Sequence, residues 1–443
     1  MSVAYITCIK TLFVRIRKSL MSLVVQKFGG TSVANIERLR AVAGIIKRAR
    51  DKGKRVTAVV SAMAGVTNQL ASYVHAAGSM LKTPEALQES DVILSSGEQV
   101  TSGLLSLCLQ ELGIPSRSFM GWQIPIYTNS KHTDAAVTAI DPSPLHHFME
   151  EGGIPVVTGF QGIHDARMTT LGRGGSDMTA VALAHALQAD FCDIYTDVSG
   201  VYTADPRLIS DAEKIDKITF EEMQLLADHG AKVLQPKCVA YAFEKKVRLR
   251  ILSSFHTAEE GTEIIETSPY ATAANDLSGI AHSFNDARLS LRSLSLQSYT
   301  VLRKMSQILT QQGLLFDGLS KAIHPGEKDA AHIDFFVTKA DLVPTLTFLR
   351  KKQSDIGFSD IDVDQNVVKI ALIGHGFKEN TDLSTKVLRV ITHELQALGL
   401  SAAITGLSEM KMTLVAQEKE ARPVIQALHD YFIKRKKEKK AQC

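Results

Sequence analysis

Short apolar runs alternate with longer segments of helical periodicity over the first 255 residues of the chain. The apolar runs predict strands at LVVQKF (23–28), RVTAVVSAM (55–63), IPVVTGFQG (154–162) and DFCDIYTD (190–197). The segments between them predict helices at 33–53, at 84–113 (one or two helices closed by Gly113) and at 176–189 with Ser176 as N-cap. This alternation predicts an α/β domain with a mostly parallel open sheet, helices on both faces, and ligands at the carboxyl ends of strands.

The pattern changes after residue 276. Residues 289–320 and 367–408 each read as strand, helix and strand, and the second copy continues through KMTLVAQ (411–417) into a helix at 420–433. Together they form a weak internal repeat of roughly 75–80 residues, which predicts two small α+β domains. Each copy is too small for an enzyme, so the repeats are either packing modules or a pair of regulatory ligand-binding domains.

The change of pattern divides the chain into six segments. They are an N-terminal extension (1–20), an α/β domain (21–266), a linker (267–278), two small domains (279–362 and 363–435) and a basic tail (436–443). The extension carries four basic residues and no acid, and its charges interrupt any apolar segment of a secretion signal. Translation from Met21 is the favoured interpretation, and a short organelle-targeting leader is the alternative.

Charge and cysteine content narrow the classes of function. The net charge is +3, but KRKKEKK (434–440) contributes +5, so the remainder sums to −2 and nucleic acid is not an expected ligand. Five scattered cysteines form no C-x-x-C pair, which argues against a disulfide framework or a zinc site. No apolar run approaches the length of a membrane span. We therefore expect a cytoplasmic protein without a membrane or nucleic-acid partner, or an organellar one if the first 20 residues are a leader.

A lysine and two glycines end the first predicted strand, in KFGGTS (27–32). Glycines let the backbone approach an anion, and the amides of a following helix N-terminus favour negative charge. Lys27 adds a full positive charge where a phosphoryl group would be transferred. Because the lysine precedes the glycines, this is not a Walker loop, and the absence of G-x-G-x-x-G argues against a dehydrogenase. Taken alone, the motif is equally compatible with a simple tight turn.

Two further motifs lie at predicted strand ends. In TTLGRGGSDMTA (169–180), Arg173 stands among glycines, an arrangement suited to binding a carboxylate or phosphate, and Asp177 opens a helix. Asp177 could also serve only to favour its helix dipole. In TDVSGVYTADPR (196–207), a long polar loop follows a strand, and such loops are often functional.

These motifs occur together with VSAMAGVTN (60–68), SSGEQ (95–99), GFQG (159–162) and GAKVLQPK (230–237). In this order they resemble the aspartate kinases, from about residue 23 to 266. That family has the amino acid kinase fold and binds ATP without a Walker loop. Residues 279–435 are similar, at the level of pattern, to the paired βαββαβ ACT domains of monofunctional aspartate kinases.

The resemblance implies a role for each matching position. Lys27 would stabilise the transferring phosphoryl group, and Asp177 would orient Lys27 or hold Mg²⁺ through water. Gly29 and Gly30 would offer backbone amides to the phosphates. The remaining positions implied to bind ATP are Phe28, Thr196, Asp197, Tyr202, Arg207, Lys232 and Val233. Those implied to bind aspartate are Ser61, Thr67, Glu98, Phe160 and Arg173.

The resemblance implies phosphorylation of the aspartate β-carboxylate, the first step towards lysine, threonine, methionine and diaminopimelate. Glu98 and Arg173 carry the charges needed for an α-ammonium and an α-carboxylate. A carboxylate acceptor is already ionised at neutral pH, so no general base is required. His132, His164 and His229 are accordingly interpreted as surface or loop residues. Mg²⁺ would arrive with ATP, and no protein metal site is predicted.

Four alternatives remain to be weighed against aspartate phosphorylation. Glutamate is one methylene longer than aspartate, a difference worth only ~1–3 kcal/mol in a pocket. N-acylated amino acids and nucleoside monophosphates fit less well, since the former lack the ammonium that Glu98 would face. The chain could also be a non-catalytic amino-acid sensor, although retention of Lys27, Glu98, Arg173 and Asp177 argues against this.

The resemblance also implies regulation. Lysine is the expected feedback inhibitor, and ACT domains that pair between subunits imply a homodimer. The implied effector contacts are Ser298, Val301, Leu302, Asp317 and Ser320. The segment AIHPGEKDAAHIDFF (322–336) is longer and more polar than the family's short turn, which leaves threonine open as an alternative effector.

Overall fold

The computed structural model of the chain describes residues 22–78, 83–231, 233–266, 277–295, 303, 305–307, 309–310, 316–323, 330–375, 377 and 381–434. These residues fall into two compact units. Of the described residues, the first unit comprises 22–78, 83–201, 214–224 and 233–266, and the second comprises 202–213, 225–231 and those between 277 and 434. The assignment of 202–213 and 225–231 to the second unit differs from the uninterrupted α/β domain expected from the sequence.

The first unit is built on an eight-stranded sheet of order β12-β14-β13-β9-β1-β2-β6-β3. Its central pairs are parallel and only β13–β14 is antiparallel, which confirms the predicted mostly parallel α/β architecture. A second sheet has the order β5-β4-β7-β8. The strands are β1 Leu23–Phe28, β2 Arg55–Val60, β3 Ser116–Phe119, β4 Ile126–Thr128, β5 Val137–Ile140, β6 Ile154–Thr158, β7 Gln161–His164, β8 Arg167–Thr170, β9 Phe191–Thr196, β10 Val201–Tyr202, β11 Lys214–Ile215, β12 Lys217–Thr219, β13 Leu249–Ser253 and β14 Thr262–Ile265.

Helices cover both faces of the large sheet, as predicted. They are α1 Ile36–Asp51, α2 Val66–Gly78, α3 Pro84–Glu111, α4 Ser143–Glu150, α5 Gly175–Ala186, α6 Phe220–Asp228 and α7 Pro236–Glu244. The apolar stripes of α1 and α3 share a core with Phe28 and Tyr195 on one face. On the other face α5 packs against β1, β2 and β9. The N-terminus of α5 therefore lies beside the carboxyl end of β1.

The long helix α3 is a single helix, and its buried face is unusually polar. Its first turn is fixed by the Thr83 hydroxyl, which accepts a hydrogen bond from the amide of Ala86, and by Pro84. Asp91, Ser95 and Glu98 all lie on the buried face. Among the described residues α3 is the one helix long and apolar enough to cross a membrane, which the sequence interpretation did not foresee. Half of that stretch is buried inside the protein, as in the core helix of a soluble domain.

The second unit contains two four-stranded sheets, of order β15-β20-β22-β21 and β17-β18-β16-β19. Its strands are β15 Gly279–Ser283, β16 Asp286–Ser295, β17 Asp317–Ile323, β18 Ala330–Thr338, β19 Asp360–Asp364, β20 Val367–Ile373, β21 Ala403–Leu407 and β22 Lys411–Gln417. Its helical segments are α8 Leu342–Lys351, α9 Gln353–Ile356, α10 Thr381–Arg389 with a π-helical continuation Val390–Leu395, a 3₁₀ turn Glu418–Glu420, and α11 Ala421–His429 with a π-helical continuation Asp430–Lys434.

The two small sheets do not follow the sequential division at residue 362. Strand β15 precedes the first repeat in the chain, yet it pairs antiparallel with β20 of the second repeat, from Gly279 opposite Ile373 to Ser283 opposite Lys369. A fully buried strand such as β20 needs a hydrogen-bonding neighbour on each side, and β15 and β22 supply them. The two repeats are therefore interleaved rather than consecutive.

Candidate active site

A cavity of about 590 Å³ lies at the carboxyl ends of the central strands, as the sheet topology predicts. Eight of the residues singled out in the sequence line it: Lys27, Gly30, Ser61, Thr67, Glu98, Phe160, Arg173 and Asp177. They come from segments up to 150 residues apart in the chain. The joint presence of a lysine, an arginine and two carboxylates in one cavity makes it the candidate active site.

Lys27 and Asp177 form a buried ion pair in this cavity. The Lys27 Nζ lies 2.5 Å from the Asp177 Oδ1, and the two residues are 7% and 8% exposed. Strand β1 positions the lysine, and the first turn of α5 positions the aspartate, where the helix dipole also favours a negative charge. A Cβ added to Gly29 would lie 3.4 Å from the same Nζ. The ammonium is therefore held in one place beside a helix N-terminus.

The two glycines after Phe28 serve different purposes. Gly30 lines the cavity, and a Cβ there would approach the carbonyl oxygen of Ala62 to 3.1 Å, so the site requires glycine for close packing. The amide of Gly29 donates a hydrogen bond to the carbonyl of Tyr195 at 3.3 Å. This differs from the expectation that both amides face phosphate. The ring of Phe28 is buried and stacks on Tyr195 at 4.8 Å, so only its backbone can reach a ligand.

Glu98 is the most perturbed acid of the cavity. It is 3% exposed, and its Oε1 accepts a hydrogen bond from the amide of Ala62 at 3.0 Å. Its Oε2 is buried and has no hydrogen-bond partner among the residues that the structure describes. Burial raises the pKa of Glu98 from 4.5 to about 7, although the Ala62 hydrogen bond and the Lys27 charge act to lower it. A buried, unsatisfied carboxylate oxygen facing a cavity is well suited to bind a cationic group.

Arg173 occupies an exposed turn that lines the same cavity. Gly172 and Gly174 flank it with φ angles of 69° and 72°, a conformation that favours glycine. The turn is closed by the Gly175 amide, which donates to the Gly172 carbonyl at 3.0 Å. Because Gly174 takes the left-handed conformation, α5 begins at Gly175 and its N-cap is Gly174. The prediction of Ser176 as N-cap was therefore wrong.

Phe160 and the two hydroxyl residues complete the cavity. Phe160 has a φ of 69°, which is rare for a residue with a side chain and is a mark of local strain. Its amide donates to the Thr179 hydroxyl of α5 at 3.1 Å, which holds this conformation. Ser61 follows β2 and its amide donates to the carbonyl of Phe28 at 3.1 Å, whereas Thr67 lies in the first turn of α2.

The remaining nucleotide-binding candidates lie outside this cavity. Thr196 ends β9, and its hydroxyl bonds within its own turn to the backbone of Val198. Asp197 is exposed and Val233 half-buried. Tyr202 and Arg207 belong to the second compact unit, where the Arg207 guanidinium binds the Asp205 carboxylate at 2.8 Å. Lys232 lies outside the described residues. The assignment of these positions to ATP stays a prediction.

Of the five effector candidates, only one has a described side chain. Asp317 begins β17, and its Oδ2 lies 2.6 Å from the Nζ of Lys369 on β20. Lys369 also approaches the Oδ1 of Asp286 at 3.7 Å. For Ser320 only the backbone is described, within β17. Ser298, Val301 and Leu302 lie outside the described residues.

The sequence interpretation missed Asp91, which lies behind the cavity, and Thr133 and Thr170, which line it. The signal for Asp91 was present in the sequence, because it is seven residues before Glu98 and therefore on the same face of α3. No sequence pattern around Thr133 identifies it, because it reaches the cavity only through the folded conformation of the 130–134 turn. His132 lies in a loop, which fits its interpretation as a surface or loop residue, and its side chain is only 8% exposed.

Known proteins resemble this chain in both sequence and fold. The model of the amino acid kinase family matches residues 22–253. The chain is 39% identical over 414 residues to an aspartokinase of Rickettsia felis, covering 93% of this chain and 99% of that one. It is similar to E. coli aspartokinase III in complex with aspartate and ADP (TM-score 0.74, 25% identity, 92% of this chain and 99% of that one). It is also similar to the complex of that enzyme with lysine and aspartate (TM-score 0.70, 25% identity, 93% and 99%).

Proposed function

Because this chain belongs to the amino acid kinase family and, within it, to the aspartokinases, we propose that the cavity binds L-aspartate beside ATP and transfers the γ-phosphoryl group to the β-carboxylate. The products are ADP and 4-phospho-L-aspartate. The observation that carries the proposal is the presence of Glu98, Arg173 and Lys27 together in the lining of one cavity.

Glu98 and Arg173 supply the charges that an α-amino acid requires. The Glu98 Oε2, buried without a partner, would accept a hydrogen bond from the substrate ammonium. Arg173, exposed on its glycine-flanked turn, would bind the α-carboxylate through two parallel N–H donors. Ser61, Thr67 and Phe160 would complete the aspartate pocket. With its α-groups held in this way, the substrate would direct its β-carboxylate towards Lys27.

In the reaction an oxygen of the β-carboxylate forms a bond to the γ-phosphorus, and the bond from that phosphorus to the β–γ bridging oxygen breaks. The acceptor is ionised at neutral pH, so no proton is removed and no general base is needed. Lys27 would neutralise charge on the transferred group and on the departing ADP, while Asp177 fixes the ammonium by their 2.5 Å contact. Mg²⁺ carried by ATP would supply further charge neutralisation, with Asp177 beside it to hold one of its waters.

The nucleotide would extend from the glycine turn towards the loop after β9. Gly30 would approach the phosphates most closely, because it lines the cavity and a Cβ there would be in tight contact with the Ala62 carbonyl oxygen, at 3.1 Å. Phe28 and Gly29 would adjoin the phosphates without donating the Gly29 amide, which is bound to the Tyr195 carbonyl. Thr196 and Asp197 would contact the nucleotide at the end of β9. The positions proposed to bind the rest of ATP are Tyr202, Arg207, Lys232 and Val233.

A hydroxamate assay with aspartate, glutamate and N-acetylglutamate tests the reaction and its substrate together. We expect ATP-dependent acyl phosphate from aspartate, and loss of product in Lys27→Ala. The matched control is Lys47→Ala, since Lys47 is a partly exposed lysine of α1 that pairs only with Asp51, at 2.6 Å, among the ion pairs of the described residues. Greater activity with glutamate than with aspartate would overturn the substrate assignment.

Regulation by lysine, a homodimer formed through the small domains, and a cytoplasmic location are further parts of the proposal. E. coli aspartokinase III, to which the chain is similar, has been crystallised with lysine and aspartate. In this chain Asp317 already binds the Lys369 ammonium, which supports its ability to bind the ammonium of an effector. An unchanged rate and substrate affinity in ~10 mM lysine and threonine, singly and together, would exclude this regulation.

A further inference from the structure

Asp91 is a completely buried carboxylate two turns before Glu98 on α3. It does not line the cavity, and no motif in the sequence includes it. A charged group in such a position is strongly unfavourable unless its oxygens are satisfied by hydrogen bonds. Among the described residues, the groups that bind Asp91 come from segments other than α3, so its role is to connect elements.

Three residues donate hydrogen bonds to Asp91. The hydroxyl of Thr170 donates to Oδ1 at 2.5 Å, and the amide of Thr133 lies 3.1 Å from Oδ1 and 3.2 Å from Oδ2. The Nδ1 of His132 lies 2.7 Å from Oδ2, and because a carboxylate only accepts, this nitrogen carries the proton. Through these hydrogen bonds Asp91 connects the 130–134 turn and the end of β8 to α3.

The 130–134 turn and the end of β8, both hydrogen-bonded to Asp91, form the part of the cavity wall next to Arg173. Thr133 and Thr170 line the cavity directly. Thr133 has a φ of 66°, a strained conformation that the surrounding hydrogen bonds must maintain. A Cβ added to Gly172 would lie 2.7 Å from the Asp134 Oδ1 and 3.3 Å from the Thr133 carbonyl oxygen. The 130–134 turn therefore packs directly against the backbone of Gly172, the residue before Arg173. Thr170 lies two residues before Gly172 in the chain.

We propose that Asp91 is a positioning residue for substrate recognition, which sets the place of the Arg173 guanidinium by fixing the 130–134 turn and the end of β8. The proposal rests on the proposed function, in which Arg173 binds the α-carboxylate of aspartate. Asp91 itself touches neither substrate nor nucleotide. Its removal should weaken the binding of aspartate much more than that of ATP.

Steady-state kinetics of two variants, Asp91→Asn and Thr170→Val, test the proposal. Thr170→Val removes only the hydroxyl donor and keeps the shape of the side chain. In Asp91→Asn one acceptor oxygen becomes an N–H₂ donor facing donors from His132 and Thr133, so the turn loses at least one hydrogen bond to a charged group. We expect the KM for aspartate to rise about tenfold, with the KM for ATP and kcat within about twofold of wild type. Thr170→Val should show a smaller change of the same kind.

A double-mutant cycle with Arg173→Ala separates positioning from general destabilisation. If Asp91 acts through Arg173, then Asp91→Asn should change kcat/KM for aspartate by less than about twofold in the Arg173→Ala background. Equal losses in both backgrounds, or parallel increases of the two KM values in the single variants, would overturn the proposal. If Asp91→Asn does not fold, the same cycle with Thr170→Val decides the question. A wild-type protein that fails to phosphorylate aspartate would instead contradict the proposed function.

Discussion

The raised pKa of Glu98 predicts that aspartate binding is coupled to proton release. In the empty protein burial raises this pKa to about 7, so about half of the molecules carry a protonated Glu98 at pH 7 and about nine-tenths at pH 6. Pairing with the substrate ammonium requires the ionised form and lowers the pKa. Aspartate binding should therefore release about 0.9 proton at pH 6, about 0.5 at pH 7 and almost none at pH 8.5. The affinity should be about tenfold lower at pH 6 than at pH 8.

Isothermal titration calorimetry in buffers of different ionisation enthalpy measures the number of released protons directly. Glu98→Gln should bind aspartate more weakly and release no proton at any of these pH values. Glu85→Gln is the matched control on the same helix, because Glu85 is exposed in the first turn of α3, and it should behave as wild type. Absence of proton release at pH 6, or equal release from Glu98→Gln, would refute the assignment of Glu98 to the ammonium.

The raised pKa of Glu98 also makes the stability of the empty protein depend on pH. This stability falls as the pH rises, whereas the affinity for aspartate increases. The folded-state pKa of Glu98 lies above the value of 4.5 expected in the unfolded chain. The stabilising contribution is therefore fully present below pH 4.5 and is lost as the pH rises through about 7. The difference of 2.5 pKa units corresponds to a loss of about 3 kcal/mol at high pH in the empty protein. Glu98→Gln should accordingly raise the melting temperature at pH 8 and change it little at pH 4.5.

Three further predictions follow from individual contacts. Lys27→Met should lower kcat by at least about a hundredfold with little loss of aspartate binding, as measured by ADP release and calorimetry; a smaller loss of kcat would exclude Lys27 from catalysis. Gly30→Ala should raise the KM for ATP, because the new methyl group meets the Ala62 carbonyl at 3.1 Å. The control Gly103→Ala, whose methyl group meets nothing within 4 Å, should leave this KM unchanged. Equal KM values for the two variants would contradict the tight turn at Gly30. Asp317→Asn should weaken inhibition by lysine in rate assays without changing the uninhibited rate, and retained inhibition would remove Asp317 from the effector site.

The elements that could be predicted from sequence are those with a strong local signal. LVVQKF was expected as a strand and is β1, with the bounds Leu23–Phe28. The KFGG turn and the Arg173 turn were recognised because glycine and a flanking charge are rare together at strand ends. Their convergence in one cavity follows from the parallel sheet, since carboxyl ends of parallel strands share one edge.

The features that could not be predicted depend on distant parts of the chain. Strand β15 could not be assigned to β20, because local pattern does not choose between two neighbouring sheets. The N-cap of α5 was misplaced by two residues, because a left-handed glycine can begin a helix before the favoured serine. The spacing of Asp91 from Glu98 places it on the same face of α3, but its role depends on donors from two other segments, which the local sequence does not show.

The most direct test of the account is a crystal structure of the protein with aspartate and a non-hydrolysable ATP analogue. We expect the α-ammonium at hydrogen-bonding distance, about 3 Å, from the Glu98 Oε2 and the α-carboxylate on Arg173. The Lys27 Nζ should lie within about 4 Å of an oxygen of the terminal phosphate. A closed complex with Lys27 more than about 10 Å from that phosphate, or with aspartate bound outside this cavity, would contradict the account.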